Sequence, residues 1–197
     1  EQEGEIMSIA TQDVISVPPT QTIMAAAGQM TTCGFRRLPV TDAGTRKLRG
    51  IITSGDIINF MGGGDKFRLV TGRHDGNLIA AVNESVRTIM TQQPETLRSD
   101  ARIGDALALI LTKKIGGLPI TDKDGVLEGI VTERDVLRVL AAQRSPLNVE
   151  DVMSTTLRVT APGCPIATVT RDMTKYRFRR LPVVSDDIPD FAGPLAG

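Results

Sequence analysis

The hexapeptide FRRLPV occupies residues 35–40 and recurs unchanged at residues 178–183, while the related IGGLPI stands between them at residues 115–120. Leu38 and Leu118 are 80 residues apart, and Leu118 and Leu181 are 63 residues apart. Self-similarity at this spacing indicates one supersecondary unit used several times. The sequence therefore predicts a first, a second and a third repeat, each named by its hexapeptide.

Each hexapeptide follows a segment in which apolar residues recur at i, i+3, i+4 and i+7. This spacing predicts an amphipathic helix with one buried face. A short extended stretch precedes each helix, at residues 15–17, 95–97 and 157–159. The stripe residues are Ile23, Ala26, Ala27 and Met30, then Ile103, Ala106, Leu107 and Ile110, then Ile166, Val169, Thr170 and Met173.

The first two hexapeptides run into a turn with Asp and Gly, then into GIITSGD at residues 50–56 and GIVTERD at residues 129–135. A second helix follows each motif. The unit therefore reads strand, helix, strand, strand, helix, with a parallel crossover followed by a hairpin. One such unit is too small to bury both faces of its sheet, so we expect an α/β fold in which units pack in pairs.

We divide the chain into a first unit at residues 1–70, a linker at 71–85 and a second unit at 86–145. A partial third unit at 146–187 and a tail at 188–197 follow. The third unit lacks a strand with Thr-x-x-Asp, so we expect that the chain ends within it or that a stretch is missing after Asp187. The glycines at 62–64 lack the Lys-Ser/Thr of a phosphate-binding loop and indicate a flexible connection that packs in part.

Composition excludes several classes of function. Lys and Arg number 23, as do Asp and Glu, and this zero net charge argues against a dedicated nucleic-acid binder. No apolar run approaches the ~20 residues of a membrane span, and we expect a cytoplasmic protein. Two distant cysteines and one histidine disfavour disulfides, metal sites and catalytic triads. We therefore predict no enzyme, no catalytic residue and no metal.

The order of strand, helix, (R/G)-L-P-(V/I), turn and G-I-(V/I)-T-x-x-D resembles the CBS motif, named for cystathionine β-synthase. The insert that contains RHDGN at residues 73–77 is similar to that of archaeal stand-alone proteins with four CBS motifs. Those proteins resemble the gamma subunit of AMP-activated protein kinase. The resemblance implies a pseudo-twofold pair of CBS units plus a partial third, with clefts that bind AMP, ADP, ATP or S-adenosylmethionine.

The resemblance also implies roles for individual residues. Asp56 and Asp135 would bond ribose hydroxyls, and Thr53 and Thr132 would contact phosphate. Each cleft would be completed by the other unit. Thr132 and Asp135 would face Ile15, Phe35, Arg36, Arg37 and Pro39, whereas Thr53 and Asp56 would face Glu95, Thr96, Ile115, Gly116, Gly117 and Pro119.

The two clefts would then differ, because only the first-unit wall carries an arginine pair, which suits a di- or triphosphate. Each Thr-x-x-Asp also matches a helix capping box, and the arginines have the alternative of being solvated surface charge. His74 lies in a polar loop and is expected to be solvated. Because aromatic residues are scarce, we expect adenine to sit among aliphatic groups, namely Ile15, Pro39, Ile115 and Pro119.

The functional prediction is a regulatory sensor that binds an adenine nucleotide as a regulatory ligand, not as a catalytic cofactor. Ligand in the cleft would favour one arrangement of two units. A homodimer is expected, and the regulated partner is unknown. Two alternatives stay open at this point: an S-adenosylmethionine-binding module, and a dimerisation scaffold with empty clefts.

Overall fold

A computed structural model describes residues 4–62, 64–142, 157–176, 178 and 180–185. The chain divides into two compact units, Glu1–Ser145 and Pro146–Gly197, which are taken separately below. The compact unit Glu1–Ser145 contains the first two repeats and the segment between them.

The first helix of the first repeat is capped at both ends by neighbouring residues. The Thr22 hydroxyl accepts a hydrogen bond from the Ala25 N–H, and Gly34 ends the helix in the left-handed conformation, with φ of 67°. A hairpin and three helices follow. The elements are α1 (Ile23–Cys33), β1 (Arg37–Thr41), β2 (Leu48–Thr53), α2 (Ser54–Met61), α3 (Phe67–His74) and α4 (Leu78–Val82).

The second repeat follows the same order, and its residues are 80 positions beyond their counterparts before the hairpin turn and 79 beyond them after it. Its first helix ends at Lys114, which adopts the left-handed conformation with φ of 53° at the position of Gly34. The elements are β3 (Leu97–Arg98), α5 (Ile103–Lys113), β4 (Gly117–Thr121), β5 (Leu127–Thr132) and α6 (Glu133–Ala142).

The predicted hairpin and parallel crossover are present in both repeats. Strands β1 and β2 are antiparallel, as are β4 and β5. Strand β3 runs parallel to β4, and Val17 forms the equivalent parallel bridge to Val40 in the first repeat. The α/β class and the repeated unit are therefore as the sequence predicts.

The two repeats are related by a pseudo-twofold axis that passes close to the bridge between Lys47 and Val126. Beside it, the Leu48 N–H donates to the Gly125 carbonyl at 2.9 Å, and the Leu127 N–H donates to the Arg46 carbonyl at 3.1 Å. Because these bonds join equivalent positions in exchanged roles, the two hairpin turns meet as an isologous contact.

The segment that precedes each repeat pairs with the other repeat. Thr11 exchanges backbone hydrogen bonds of 3.0 Å with Ile130, and Thr91 exchanges bonds of 2.9 Å with Ile51. A 3-10 turn sits at equivalent places in both segments, at Ile6–Ser8 and Val86–Thr88. This exchange ties the repeats into one pair, as the small size of a single unit requires.

Each repeat has its own cluster of buried apolar side chains. The predicted stripe of α1 lines the first cluster, with Ile23, Ala26 and Met30 buried. Residues 71–85, which we interpreted as a linker, include α4 and the end of α3. The buried residues Ala81 and Val82 belong to the part of this connection that we expected to pack.

We expected His74 to be solvated, and this prediction is wrong. Its Nε2 lies 2.6 Å from Glu84 Oε1, and both side chains are about one fifth exposed. The Arg73 guanidinium is 3.6 Å from the other oxygen of Glu84. The Glu84 carbonyl in turn accepts the N–H of Ile23 at the start of α1. These contacts join the insert, which is the segment between α2 and the 3-10 turn at Val86–Thr88, to the first repeat.

The second compact unit contains helix α7 (Ile166–Tyr176) and a parallel bridge between Thr160 and Val183. The strand position falls at Thr160 and not within residues 157–159, because the backbone bonds to Pro182 and Val184 set the register there. Ile166 is exposed, contrary to the predicted buried stripe. The described residues of this repeat include no second helix that would cover it.

Every helix in the described part of the chain is too short or too polar to span a membrane.

Candidate functional site

The first Thr-x-x-Asp lies where β2 ends and α2 begins. Asp56 Oδ2 accepts hydrogen bonds from the Thr53 N–H at 2.8 Å and from the Thr53 hydroxyl at 2.6 Å. The hydroxyl oxygen in turn accepts the Asp56 N–H at 3.2 Å. These bonds form a capping box that satisfies N–H groups at the start of the helix.

The second Thr-x-x-Asp repeats this geometry where β5 ends and α6 begins. Asp135 Oδ2 accepts the Thr132 N–H at 2.9 Å and the Thr132 hydroxyl at 2.6 Å. The Asp135 side chain is only 6% exposed. In both motifs the capping bonds use one carboxylate oxygen, so the other oxygen, Oδ1, is the one that a ligand would meet.

The Oδ1 atoms of the two aspartates have different cations beside them. Lys66 Nζ lies 2.5 Å from Oδ1 of Asp56. Arg138 Nη1 lies 3.5 Å from Oδ1 of Asp135, three residues along the same helix. The first repeat has Asn59 at the position of Arg138, so its cation comes from the insert and not from the helix.

Cross-strand pairing sets one predicted wall residue beside the Thr-x-x-Asp motif of its own repeat. Arg37 pairs with Thr53 across the first hairpin, and Gly117 pairs with Thr132 across the second. The two pairs meet, because a Cβ atom placed on Gly117 would lie 2.7 Å from Arg37 Nη1. The Arg37 guanidinium of the first repeat therefore lies over a glycine next to Thr132 of the second.

This close approach explains the glycine. A Cβ on Gly117 would also lie 2.9 Å from the Val131 carbonyl oxygen and 3.1 Å from the Thr132 methyl carbon. Both distances are shorter than normal contacts, so a side chain here would displace Arg37 or distort β5. Arginine and glycine occupy equivalent positions of the two repeats, and the absence of a Cβ atom on Gly117 leaves room for the guanidinium.

The other residues that we predicted to line the clefts differ in their solvent exposure and in their contacts. Ile15, Phe35 and Arg36 are exposed, as are Glu95 and Thr96. Glu95 forms an ion pair of 2.8 Å with Lys113, and Ile115 is half-buried. The carbonyls of Arg36 and Gly116 accept the N–H groups of Ser54 and Glu133, the first residues of α2 and α6.

Pro39 and Pro119 are buried in the centres of their hairpins. The ligand contacts of all these residues stay predictions.

Sequence reasoning missed Lys66 and Arg138. Arg138 left a local signal, since residues at i and i+3 of a helix are neighbours and opposite charges at that spacing attract. Lys66 left none, because it lies ten residues beyond Asp56 in a segment that we interpreted as a flexible connection. Its position depends on the chain folding back towards Asp56, which no periodic pattern in the sequence predicts.

Comparison with known proteins adds to this geometry. A family model described as the CBS domain matches residues 4–63, 86–142 and 149–189, which is most of the chain. Protein MJ1225 of Methanocaldococcus jannaschii is 43% identical over 183 residues, which are 92% of this chain and 65% of that protein. The chain thus spans about two thirds of the length of this relative.

Solved structures agree. The crystal structure of MJ1225, described as that of a candidate archaeal homologue of γ-AMPK, superposes with a TM-score of 0.86 at 42% identity and covers 93% of this chain and 66% of that chain. The CBS domain pair of MJ0100 superposes with a TM-score of 0.56 at 25% identity and covers 70% of this chain and 99% of that pair. CBSX2 superposes with a TM-score of 0.58 at 23% identity, covers 70% of this chain and 96% of that chain, and shares the fold.

The family match on all three repeats and the identity to MJ1225 confirm the resemblance that the hexapeptides and the G-I-(V/I)-T-x-x-D motifs carry. The chain belongs to the CBS domain family.

Proposed function

We propose that the paired first and second repeats bind an adenosine-containing ligand reversibly, without turning it over, and that occupancy regulates another protein. The observation that carries this proposal is the position of Arg37 over Gly117, beside Thr132. A cation from one repeat thereby stands beside the residue that begins the Thr-x-x-Asp motif of the other. The predicted ligand is an adenine nucleotide, AMP, ADP or ATP.

The chemistry of the site suits such a ligand. Asp135 Oδ1 is a carboxylate oxygen outside the capping box and can accept hydrogen bonds from ribose hydroxyls. The start of α6 carries the partial positive charge of a helix N-terminus, which favours a phosphate. The Arg37 guanidinium can add charge-assisted bonds to phosphate oxygens.

The relatives support the same ligand class. The CBS domain pair of MJ0100 was solved in complex with 5′-methylthioadenosine and S-adenosyl-L-methionine, and both compounds carry an adenosine group. This complex favours S-adenosylmethionine as a second candidate for the present chain. The shared recognition element would then be the adenosine and not the phosphate.

The first test is the thermal stability of the chain with AMP, ADP, ATP and S-adenosylmethionine. A ligand at 100 times its Kd adds about 2.7 kcal/mol, which raises Tm by several degrees for a chain of this size. We expect Asp135→Asn to abolish this rise. If none of the four ligands raises Tm, the clefts are empty and the chain is a dimerisation scaffold.

Asp105→Asn is the matched control. Asp105 caps α5 by accepting the Arg102 N–H at 2.9 Å, as Asp135 caps α6, but it lies on the exposed surface and outside the proposed site. Both substitutions weaken a helix start, so both lower the Tm of the free protein. Only Asp135→Asn should remove the ligand-dependent rise.

Arg37→Ala separates the two ligand candidates. S-adenosylmethionine has no phosphate, so its binding should not need the guanidinium. ATP loses charge-assisted bonds that are each worth roughly 1.5–3 kcal/mol, and its affinity should fall at least tenfold. Equal affinity of ATP for wild type and Arg37→Ala would contradict the assignment of this residue to phosphate.

A homodimer belongs to the same proposal. Ile58 on α2 and Leu137 on α6 are equivalent by the pseudo-twofold relation, and each is 62% exposed. A second copy would present the same pair of apolar positions, as a closed twofold interface requires. Light scattering should show a dimer that Ile58→Glu dissociates, whereas Ile79→Glu, on α4, should leave it intact.

A further inference from the structure

The two Thr-x-x-Asp motifs are alike in their capping bonds and unlike in how firmly Oδ1 of the aspartate is held. A ribose that binds the aspartate must take the place of whatever contacts Oδ1. The cation at that atom therefore determines whether the site is available.

Lys66 is held at the first motif by contacts at both ends of the residue. Its ammonium donates to Asp56 Oδ1 and to the Ile89 carbonyl, each at 2.5 Å. Its own N–H donates to Asn59 Oδ1 at 2.7 Å, which fixes the backbone that carries the side chain. The Lys66 side chain is 30% exposed and Asp56 is 15% exposed, so solvent screens this ion pair only in part.

The Ile89 carbonyl adds to this fixation because it belongs to the exchanged segment. Ile89 is buried and follows the 3-10 turn that leads to the bonds between Thr91 and Ile51. Lys66 thus joins the aspartate of the first repeat to the segment that precedes the second. Moving the ammonium away would break both of its hydrogen bonds at once.

Arg138 is held far more loosely at the second motif. Its guanidinium is 3.5 Å from Asp135 Oδ1, which is an ion-pair distance longer than a hydrogen bond, and its side chain is 71% exposed. Exposed pairs of this kind contribute little to stability. A ribose hydroxyl can therefore take the position of the guanidinium at small cost.

We infer that Lys66 closes the Asp56 site to ribose, and that the pair of repeats consequently binds one adenosine ligand, at Asp135. The inference rests on the proposed function and identifies which of its two sites is in use. Loss of hydrogen bonds to a charged group weakens binding at Asp56 by roughly 10- to 100-fold. The insert between the repeats, and not the Thr-x-x-Asp motif, sets the stoichiometry.

Calorimetric titration of the full chain with AMP and with ATP tests this directly. We expect one nucleotide per chain for the wild type, and Asp135→Asn should abolish that binding. Lys66→Gln keeps a donor for the Ile89 carbonyl but removes the charge, and we expect it to bind two nucleotides per chain. Lys66→Arg keeps the cation and should bind one.

Two controls locate the second site. Lys66→Gln combined with Asp56→Asn should return the stoichiometry to one. Lys123→Gln makes the same change at an exposed lysine of the second hairpin turn and should bind as the wild type does. Melting curves of each variant report whether it is folded.

The outcomes separate the two proposals. Two nucleotides per chain in the wild type, or one in a folded Lys66→Gln variant, would overturn the closure by Lys66 and leave the proposed function standing. No binding by either protein would overturn the proposed function itself. The wild-type stoichiometry alone tests the inference if Lys66→Gln fails to fold.

Discussion

The first and second repeats follow one backbone plan, and they differ in the side chains that meet at equivalent positions. The hairpins share their register, including a shift at the same place, and the capping bonds of Thr53 and Thr132 match within 0.1 Å. Backbone pairing thus reproduces the unit closely. The chemistry of each unit comes from residues that the pairing leaves free to vary.

The segment that follows α2 is the main source of the difference. It supplies the first repeat with Val70 and Ala81 for its core, with Lys66 for Asp56, and with His74 for Glu84. Both copies of a duplicated unit can therefore keep the fold while one copy gains additional core residues and polar contacts.

The largest difference should appear at Phe60 of α2 and Val139 of α6, which are equivalent. Phe60 is fully buried in the enlarged first core, whereas Val139 is half-buried. Removing a buried phenyl ring costs about 3–5 kcal/mol of unfolding free energy. We expect Phe60→Ala to lower stability in urea by that amount, and Val139→Ala to lower it by less than half as much. Similar losses for the two would mean that the insert adds nothing to the first core.

Gly50 and Gly129 are equivalent residues of β2 and β5, and each faces the segment that precedes the other repeat. A Cβ on Gly50 would lie 2.6 Å from the Thr91 carbonyl oxygen and 2.9 Å from Met90 Sδ, whereas on Gly129 the nearest atom is the Thr11 carbonyl oxygen at 3.3 Å. We expect Gly50→Ala to cost about 1–3 kcal/mol and Gly129→Ala distinctly less. Thermal unfolding of both variants measures the difference, and a larger loss at Gly129 would contradict the geometry.

Substitutions at the C-terminal ends of α1 and α5 should change the unfolding free energy by a smaller amount. Gly34 and Lys114 both adopt a left-handed backbone, with φ of 67° and 53°. A residue with a Cβ atom pays roughly 1 kcal/mol there, and glycine avoids this cost. We expect Lys114→Gly to raise the unfolding free energy by about 1 kcal/mol and Gly34→Lys to lower it by a similar amount.

The double variant provides the check on this assignment. The two positions lie on different helices, and independent effects should cancel in Gly34→Lys combined with Lys114→Gly. A destabilised Lys114→Gly variant would show that the lysine side chain contributes more than its backbone strain costs.

These comparisons also show what the sequence could and could not predict. The two helices of each of the first two repeats, the hairpins and the parallel crossover follow from local periodicity and from a hexapeptide used three times, whereas α3 and α4 were not predicted. The capping bonds of Asp56 and Asp135 follow from residue spacing within one turn. Local patterns suffice there because the partners lie within a few residues of one another.

Lys66 and His74 were beyond such reasoning. Each bonds a residue ten positions away along the chain, Asp56 and Glu84 respectively, through a fold-back that Asn59 and α3 determine. Arg37 reaches the other repeat at a position where a glycine leaves room for its guanidinium. Contacts of this kind depend on how elements pack, and a single sequence contains no periodic signal for them.

The smallest effect concerns Glu84, which stands where the segment before the first repeat has Gly4. Burial raises the pKa of the Glu84 carboxyl, but interactions with the side chains of Thr88 and His74 and the charge of Arg73 outweigh it, so the pKa lies below its ordinary value of 4.5. A carboxyl with a lowered pKa stabilises the fold fully above its unfolded pKa and loses that contribution as the pH falls through its folded pKa. We therefore expect Tm to decrease once the pH is below about 4.5, and we expect this residue to cause part of that decrease.

Glu84→Gln removes the titrating group and keeps the size of the side chain. Its Tm should be lower than that of the wild type at pH 7 by an amount worth less than about 1 kcal/mol, since the contacts lie near the surface. The two curves should converge as the pH falls through the lowered pKa of Glu84. Glu128→Gln changes an exposed glutamate of the second repeat and should run parallel to the wild type. Parallel curves for wild type and Glu84→Gln would mean that the contacts of the Glu84 carboxylate with His74 and Arg73 add nothing to the stability of the first repeat. The asymmetry between the repeats would then rest on Lys66 and the enlarged core alone.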